Sequence, residues 1–230
     1  MGVNFFPLNT KCFWKCLNCN PPAPENDHTI KKIIDASKNR SINIFSQYTL
    51  NLNRLSQFIK YSDSKKQKSA IICHELIIDK LVYLQADYLI FPLFSTVPEI
   101  HNQFTNSQSF YKIISNIQHL GKKQKRIVMF FVNKDNFSDL TDLNALSATL
   151  NAKMWIIPIS IYSNQDFSDE DILYLNRLNR YKNLFYSPVD SHLLKNGKAN
   201  NLCYLLKSSL PYKSIRLKLQ MPFFYRQLFK

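Results

Sequence analysis

Glycine is scarce in this sequence, and its scarcity excludes several large classes of nucleotide-binding protein. Only 3 of the 230 residues are glycines, at Gly2, Gly121 and Gly197. Dinucleotide-binding fingerprints, phosphate-binding loops and the glycine-rich loops of kinases each need several glycines close together, because the backbone must turn tightly or approach a phosphate. The sequence therefore encodes none of these motifs.

Long apolar runs are also missing. No stretch approaches the roughly 18–20 uninterrupted apolar residues of a membrane-spanning helix, and the amino terminus lacks the regions of a secretory signal. We therefore expect a cytoplasmic chain that could associate peripherally with a membrane. Hydrophobic residues make up 45% and charged residues 20% of the chain, a balance that supports a folded domain.

Acidic residues stop at Asp190, so the end of the chain is strongly basic. The net charge is +14, and the eight basic residues after Asp190 are Lys195, Lys198, Lys207, Lys213, Arg216, Lys218, Arg226 and Lys230. Within residues 211–230, apolar residues alternate with Arg216 and Lys218, which indicates an amphipathic strand. This extension could be an edge strand of a sheet or a surface that contacts anionic lipid or, with less support, nucleic acid. A merely solvated basic face stays open as the alternative.

Three of the five cysteines lie close to the amino terminus. An odd number without a signal peptide favours free thiols. The spacing Cys12-x3-Cys16-x2-Cys19 resembles the cluster-binding loop of radical SAM enzymes. The sequence departs from that pattern, because Asn18 stands where an aromatic residue usually precedes the third cysteine and no glycine-rich cofactor strand follows. A structural zinc site would need His28 as its fourth ligand.

The residues around these cysteines favour another interpretation. Aromatic residues alternate with cysteines and lysines across residues 5–16, a composition typical of an interfacial segment that palmitoylation could anchor. On this interpretation Cys12, Cys16 and Cys19 contact a membrane, and the sequence predicts neither a metal nor a cofactor. Packing of the same aromatic side chains against the domain is the alternative.

The organisation of the rest of the chain predicts an α/β domain. Prolines within residues 20–24 indicate a stiff linker, so a cysteine- and aromatic-rich segment together with this linker is expected over 1–26 and a domain over 27–210. Helix-like and strand-like periods then alternate, with strands expected near 41–46, 87–94, 127–132, 155–159 and 184–186. We expect a three-layer α/β/α sandwich of flavodoxin-like type, with a mainly parallel sheet of about five strands.

Ligands of such sheets bind beyond the carboxyl ends of the strands, and the loop after the last predicted strand carries an Asp-x-His motif. Asp190 and His192 are followed a few residues later by Gly197. This block resembles the final block of the SGNH (GDSL-type) hydrolases and acyltransferases, and residues 42–47 and 86–96 resemble two further blocks more loosely. The alternative is that Asp190 and His192 belong to the amino-terminal cap of a helix.

The resemblance implies an SGNH-like sheet and a role for individual residues. It makes Ser46 the nucleophile, His192 the general base and Asp190 the group that orients the imidazole. The residues that it assigns to the oxyanion hole or the substrate are Gln47, Ser95 and Thr96. The Gly-Asp-Ser triplet of the family is missing, and only a shift of one residue puts Ser46 in the nucleophile's place.

The sequence thus predicts a serine ester hydrolase or acyltransferase that acts on an ester of a lipid, glycan or similar substrate. One alternative is a catalytically inactive basic adaptor that binds an anionic membrane surface or partner. A second alternative is a nucleic-acid-binding protein, so catalytic and non-catalytic functions both stay open. Cys73 is expected to be a buried cysteine, because its neighbours His74 and Glu75 cannot point toward it.

Overall fold

A parallel sheet of seven strands forms the centre of the described part of the chain. The structure, a computed structural model, describes residues 3–8, 24–39, 41–46, 51–73, 84–121, 124–158, 167–178, 183–186 and 228. The strands are β1 (Val3–Pro7), β2 (Ile42–Ser46), β3 (Lys68–Ile72), β4 (Tyr88–Leu93), β5 (Lys125–Val132), β6 (Lys153–Pro158) and β7 (Leu184–Tyr186). The helices are α1 (Asp27–Ala36), α2 (Leu52–Ser64), α3 (Pro98–Thr105), α4 (Phe110–His119), α5 (Leu143–Leu150), α6 (Asp169–Arg177) and a 3-10 helix over Phe137–Thr141.

The strands pair in the order in which they occur along the chain, and every neighbouring pair is parallel. Each connection therefore advances to the next strand in the same direction. Right-handed crossovers that all advance in one direction place their helices on one face of the sheet. The sheet curls into a half-barrel, and the helices lie on its outside.

This topology confirms the α/β class and the parallel sheet and corrects two details. The sheet has seven strands, not about five, because the aromatic residues of β1 also suit an interfacial segment and the apolar run of β3 also suits a helix. A three-layer sandwich needs the strand order to reverse at a switch point, so that helices cover both faces. The order observed here does not reverse. The division into 1–26, 27–210 and 211–230 stays a prediction.

The two faces of the sheet have different neighbours. On the outer face, Asn43 donates to Ser62 Oγ of α2 at 3.0 Å, and Arg126 donates to the carbonyl oxygen of Ile117 in α4 at 2.7 Å. Alternate residues of the same strands point the other way, and on the central strands these inner-face residues are apolar and buried. They include Ile44, Ile72, Ile90, Ile127, Met129 and Ile157.

Asparagine occupies several positions at helix ends where glycine or serine is common in other proteins. Asn26 and Asn51 cap the first turns of α1 and α2, where their side chains accept from the backbone N–H groups of Thr29 and Arg54. Asn106 and Asn151 end α3 and α5 in the left-handed conformation, with φ of 48° and 46°. Asparagine tolerates this region better than other residues with a side chain, which allows a chain with 3 glycines to end its helices tightly.

Candidate functional site

The carboxyl ends of the strands meet at one edge of the half-barrel, because all the strands are parallel. In folds built from successive parallel strand–helix units, this edge collects the loops that bind ligands, whereas the opposite edge contributes mainly to stability. Ser46, Ser95 and Thr96, which the sequence predicts as site residues, all lie at this edge. It is the candidate site.

Ser46 is the last residue of β2 and faces the inside of the half-barrel, since the preceding Phe45 stacks on Phe58 of α2. Its side chain is fully buried, and among the described residues its hydroxyl oxygen has no hydrogen-bond partner. A buried hydroxyl without a partner costs about 1–3 kcal/mol. This position therefore favours contact with a polar group of a ligand or of the chain outside the described ranges.

Ser95 and Thr96 follow β4 and bind a carboxylate of the protein. The Ser95 hydroxyl donates to Asp139 Oδ2 at 2.5 Å, and the Thr96 backbone N–H donates to the same oxygen at 2.8 Å. Ser95 Oγ also accepts from the backbone N–H of Val97 at 2.9 Å. Both donors are thus engaged within the protein, and they fix the loop after β4 to the 3-10 helix that follows β5.

Asn136 joins the ends of β4 and β5. Its side-chain NH2 donates to the carbonyl oxygens of Phe94 and Phe131, and its Oδ1 accepts from the backbone N–H of Asn133 at 2.7 Å. The Asn133 side chain in turn accepts from the N–H groups of Asp135 and Asn136. These bonds satisfy backbone groups at the strand ends and hold the two adjacent loops in one arrangement.

His101 of α3 is buried beneath the same loops. Its Nδ1 accepts from the backbone N–H of Phe94 at 3.2 Å, so Nε2 carries the proton and donates to Ser109 Oγ at 3.0 Å. Burial lowers the pKa of His101 to about 4, because the surroundings disfavour the charged imidazolium. The ring is neutral near pH 7 and supports the end of β4 rather than exchanging protons with a substrate.

The structure does not bring the predicted serines together. Ser46 ends β2 and Ser95 follows β4, and β3 lies between these two strands, which separates the serines by about 10 Å at the usual strand spacing. The other predicted site residues lie outside the described residues and stay predictions: Gln47, Asp190, His192, Cys12, Cys16, Cys19, Arg216 and Lys218. Within the described ranges, no helix is long and apolar enough to cross a membrane.

Four residues of this region were missed by sequence reasoning: Arg54, His101, Asn136 and Asp139. The contacts of Asn136 could have been predicted from the sequence. Residues 133–136 directly follow an apolar strand and contain asparagine and aspartate, whose side chains often bind the backbone in turns. Arg54 and His101 carry no such local signal. Their partners are distant in sequence and depend on the strand order.

A cavity of about 290 Å³ lies at the opposite edge of the sheet and is lined by residues such as Tyr88, Lys125 and Lys153. The Lys125 ammonium lies 5.3 Å from the centre of the Tyr88 ring, and the Lys153 ammonium lies 5.3 Å from the centre of the Phe185 ring. This cavity is at the amino-terminal edge, where such folds rarely place their chemistry. We therefore keep the candidate site at the carboxyl edge.

Comparison with solved structures relates the fold to radical SAM enzymes. Streptococcus suis SuiB bound to S-adenosylmethionine matches with a TM-score of 0.59 and 14% identity, over 80% of this chain and 46% of SuiB. SuiB bound to its precursor peptide SuiA matches with a TM-score of 0.63 and 12% identity, over 84% of this chain and 50% of SuiB. Methylornithine synthase (PylB) matches with a TM-score of 0.63 and 14% identity, over 92% of this chain and 74% of PylB.

The match to SuiB covers no more than half of that protein's length. No family model matches this chain, and no curated protein matches it. At these identities the solved structures establish the fold alone.

These findings overturn the predicted function. The structural neighbours are radical SAM enzymes and not hydrolases or acyltransferases, so the prediction of a serine esterase or acyltransferase is wrong, and its ester substrate falls with it. These structural neighbours give no support to the two alternatives, an inactive adaptor and a nucleic-acid-binding protein. An Asp-x-His motif is short and also occurs at the amino-terminal caps of helices, so it does not by itself indicate a serine hydrolase.

Proposed function

We propose that this chain is the core of a radical SAM enzyme, in which Cys12, Cys16 and Cys19 bind a [4Fe–4S] cluster and the carboxyl edge of the half-barrel binds S-adenosylmethionine. The observation that carries the proposal is the strand order, which follows the chain and is parallel throughout. Because Pro7 at the end of β1 pairs with Ser46 at the end of β2, the segment of sequence that carries the three cysteines starts at the same edge as Ser46 and Ser95. This is the edge at which such folds bind ligands.

The donor set fits an iron–sulfur cluster. Thiolates are the usual protein ligands of [4Fe–4S] clusters, and three of them leave one iron available for another ligand. The three cysteines follow Pro7, the last residue of β1, within a short stretch of sequence. A single segment of the sequence therefore supplies the whole donor set.

The inner face fits a cofactor that must be kept from water. Next to the candidate site it presents buried apolar side chains such as Ile72 and Phe131, together with the hydroxyl of Ser46, which has no hydrogen-bond partner in the part of the chain that the structure describes. We assign the Ser46 hydroxyl to a hydrogen bond with a polar atom of S-adenosylmethionine. The apolar side chains exclude water, which protects reactive intermediates from side reactions.

When both are bound, the cluster and S-adenosylmethionine supply radical chemistry at a C–H bond. The residues of this chain hold the reactants in place. The bonds of Asn136 to Phe94 and Phe131 fix the loops after β4 and β5, and His101, neutral because burial lowers its pKa to about 4, supports the same edge without adding charge. Asp139 accepts from Ser95 and Thr96 and orders the wall of the site.

A peptide is the substrate class that we propose. One neighbour of the same fold is SuiB bound to a precursor peptide. The lipid and nucleic-acid partners expected from the basic carboxyl-terminal residues stay predictions, since Arg216 and Lys218 lie outside the described residues.

The proposal predicts a cysteine-dependent cluster. Under anaerobic conditions, the chain reconstituted with iron and sulfide should bind about four iron atoms and show an electron paramagnetic resonance signal after reduction with dithionite. With dithionite as the electron donor, it should cleave S-adenosylmethionine reductively to methionine and 5′-deoxyadenosine. The Cys12→Ala/Cys16→Ala/Cys19→Ala variant should lose all three properties.

Cys73→Ala is the matched control. Cys73 is fully buried after β3, where its Sγ donates to the carbonyl oxygen of Ile71 at 3.4 Å and burial raises the pKa of the thiol, so we do not expect it to bind the cluster. This variant should keep the iron content and the signal. Equal iron content in the triple variant and the wild-type chain would contradict the proposal, as would a wild-type chain that forms no 5′-deoxyadenosine.

A further inference from the structure

Arg54, in the first turn of α2, binds the chain on both sides of the cysteine segment. Its Nη1 donates to the carbonyl oxygen of Leu8 at 2.5 Å, and its Nη2 donates to the carbonyl oxygen of Glu25 at 2.8 Å. Leu8 directly follows β1 and Glu25 directly precedes Asn26, the cap of α1. The three cysteines lie between these two residues in the sequence.

Both anchor points are themselves held in place. The backbone N–H of Leu8 donates to the carbonyl oxygen of Ser46 at 3.0 Å, and the Leu8 side chain is buried. On the other side, Asn26 accepts from the backbone N–H of Thr29 at 2.8 Å and fixes the start of α1. Arg54 therefore links two ordered points and sets the distance between them.

The ion pair of Arg54 does not account for this arrangement. Arg54 Nε donates to Asp27 Oδ1 at 2.8 Å and Nη2 lies 2.6 Å from the same oxygen, but the two side chains are 23% and 54% exposed. Ion pairs this exposed contribute little, since water and salt screen them. The two carbonyl contacts are charge-assisted hydrogen bonds, which are stronger, and they need the planar fork of a guanidinium. A lysine at this position has one donor group and cannot span both carbonyls in the same geometry.

We infer that Arg54 is a positioning residue for the cluster. By binding Leu8 and Glu25 it fixes both ends of the segment that carries Cys12, Cys16 and Cys19, so the thiolates converge on one cluster without the entropy cost of closing a free loop. Arg54 itself binds neither the cluster nor the substrate. The inference rests on the proposed function, because it assumes that the three cysteines bind a cluster.

The test compares Arg54→Gln and Arg54→Lys with two matched controls after anaerobic reconstitution. Asp27→Asn removes the ion pair and keeps the carbonyl contacts. Lys65→Gln removes another ion pair of the same helix, between Lys65 and Asp35 at 2.6 Å, at the end remote from the cysteine segment. The readouts are iron per chain, the line shape of the reduced cluster's paramagnetic signal, the rate of cluster loss to a chelator, and the thermal unfolding midpoint without iron.

We expect Arg54→Gln to lose its cluster about tenfold faster than the wild-type chain or more, since one charge-assisted hydrogen bond is typically worth at least that factor. Its signal should also broaden, because the cysteines no longer converge in one geometry. The rate of cluster loss in Arg54→Lys should lie between those of Arg54→Gln and the wild-type chain. Both controls, Asp27→Asn and Lys65→Gln, should lose the cluster at the wild-type rate. A folded Arg54→Gln variant with the wild-type rate and line shape overturns the inference.

The outcomes separate the two claims. If the wild-type chain holds a cysteine-dependent cluster and Arg54→Gln holds it equally well, only the role of Arg54 is wrong. If the wild-type chain holds no such cluster, both the proposed function and the role of Arg54 are wrong. If Arg54→Gln does not fold, Arg54→Lys decides: a wild-type rate of cluster loss in that variant overturns the inference, and faster loss at an unchanged unfolding midpoint supports it.

Discussion

Ser46 and Ser95 are both fully buried serines at the carboxyl ends of strands, yet their hydroxyls have opposite surroundings. Ser95 donates to Asp139 and accepts from Val97, whereas the Ser46 hydroxyl has no partner among the described residues. The satisfied hydroxyl stabilises the loop after β4. The unsatisfied one costs stability and is therefore the better candidate for contact with a ligand.

His101 makes the stability of the fold depend on pH. Burial lowers its pKa from 6.5 to about 4, so the unfolded chain binds a proton more readily than the folded chain between these values. Its contribution is therefore fully present above about pH 6.5 and is lost as the pH falls toward 4. We expect the free energy of unfolding, measured with urea, to fall by about 1–3 kcal/mol across this range because of His101 alone.

The His101→Asn variant tests this expectation, because its side-chain oxygen can still accept from the N–H of Phe94. The variant should be less stable near pH 7 and should show a flatter dependence on pH over the same range. His119→Gln is the control, since His119 is exposed on the last turn of α4 and should keep the wild-type slope. Identical slopes for His101→Asn and the wild type would refute the assignment.

Among the elements, α6 begins with a capping box. Ser168 Oγ accepts from the backbone N–H of Asp171 at 3.2 Å, and Asp171 Oδ2 accepts from the N–H of Ser168 at 2.7 Å. The carboxylate also lies 2.7 Å from Lys134 Nζ, which ties α6 to the loop after β5. The capping box joins residues that are close in the sequence and can be inferred from them, whereas the contact with Lys134 cannot.

Ser168→Ala should lower the free energy of unfolding by about 1 kcal/mol, because it removes the acceptor for an unpaired N–H of the first helical turn. Urea denaturation followed by circular dichroism measures the change. Ser168→Thr keeps a capping hydroxyl and should restore most of the loss. If the alanine and threonine variants are equally stable, the cap does not contribute.

The strands differ in how far local sequence predicts them. The apolar run of β5 predicts an inner parallel strand, and the structure confirms it with burial of every residue from Arg126 to Val132. β3 has a comparable apolar run but a neighbouring pattern that also fits a helix. β1 is recognisable only by its partner, since Val3–Pro7 pairs with Ile42–Ser46 along its full length. Pairing across the sheet, rather than local propensity, decides such elements.

At the scale of the whole molecule, a residue close to the end of the sequence belongs to the core. Leu228 is fully buried and packs with the sheet residues, and its carbonyl oxygen accepts from Lys153 Nζ at 3.1 Å. Lys153 is the first residue of β6, so this contact lies at the amino-terminal edge, opposite the candidate site.

Leu228→Ala should therefore lower the free energy of unfolding by about 2–5 kcal/mol, the usual cost of removing a buried leucine side chain. Leu173→Ala is the control, because Leu173 of α6 is 52% exposed and its loss should change stability by about 0.5 kcal/mol or less. Both values come from urea denaturation of the full chain. A change for Leu228→Ala as small as that of the control would show that the end of the chain does not stabilise the fold.

The sequence by itself determined the α/β class, the buried inner strands and the unusual spacing of Cys12, Cys16 and Cys19, because each depends on hydrophobic period or on near neighbours in the chain. The tertiary structure alone decided how these parts combine. Strand order is a property of pairing between distant segments. It gives a half-barrel in place of the predicted sandwich, sets the end of β1 beside Ser46, and brings Arg54 to Leu8 and Glu25, which flank the cysteine segment in the sequence. Local patterns cannot encode such contacts, because the residues that pair or touch are far apart in the sequence.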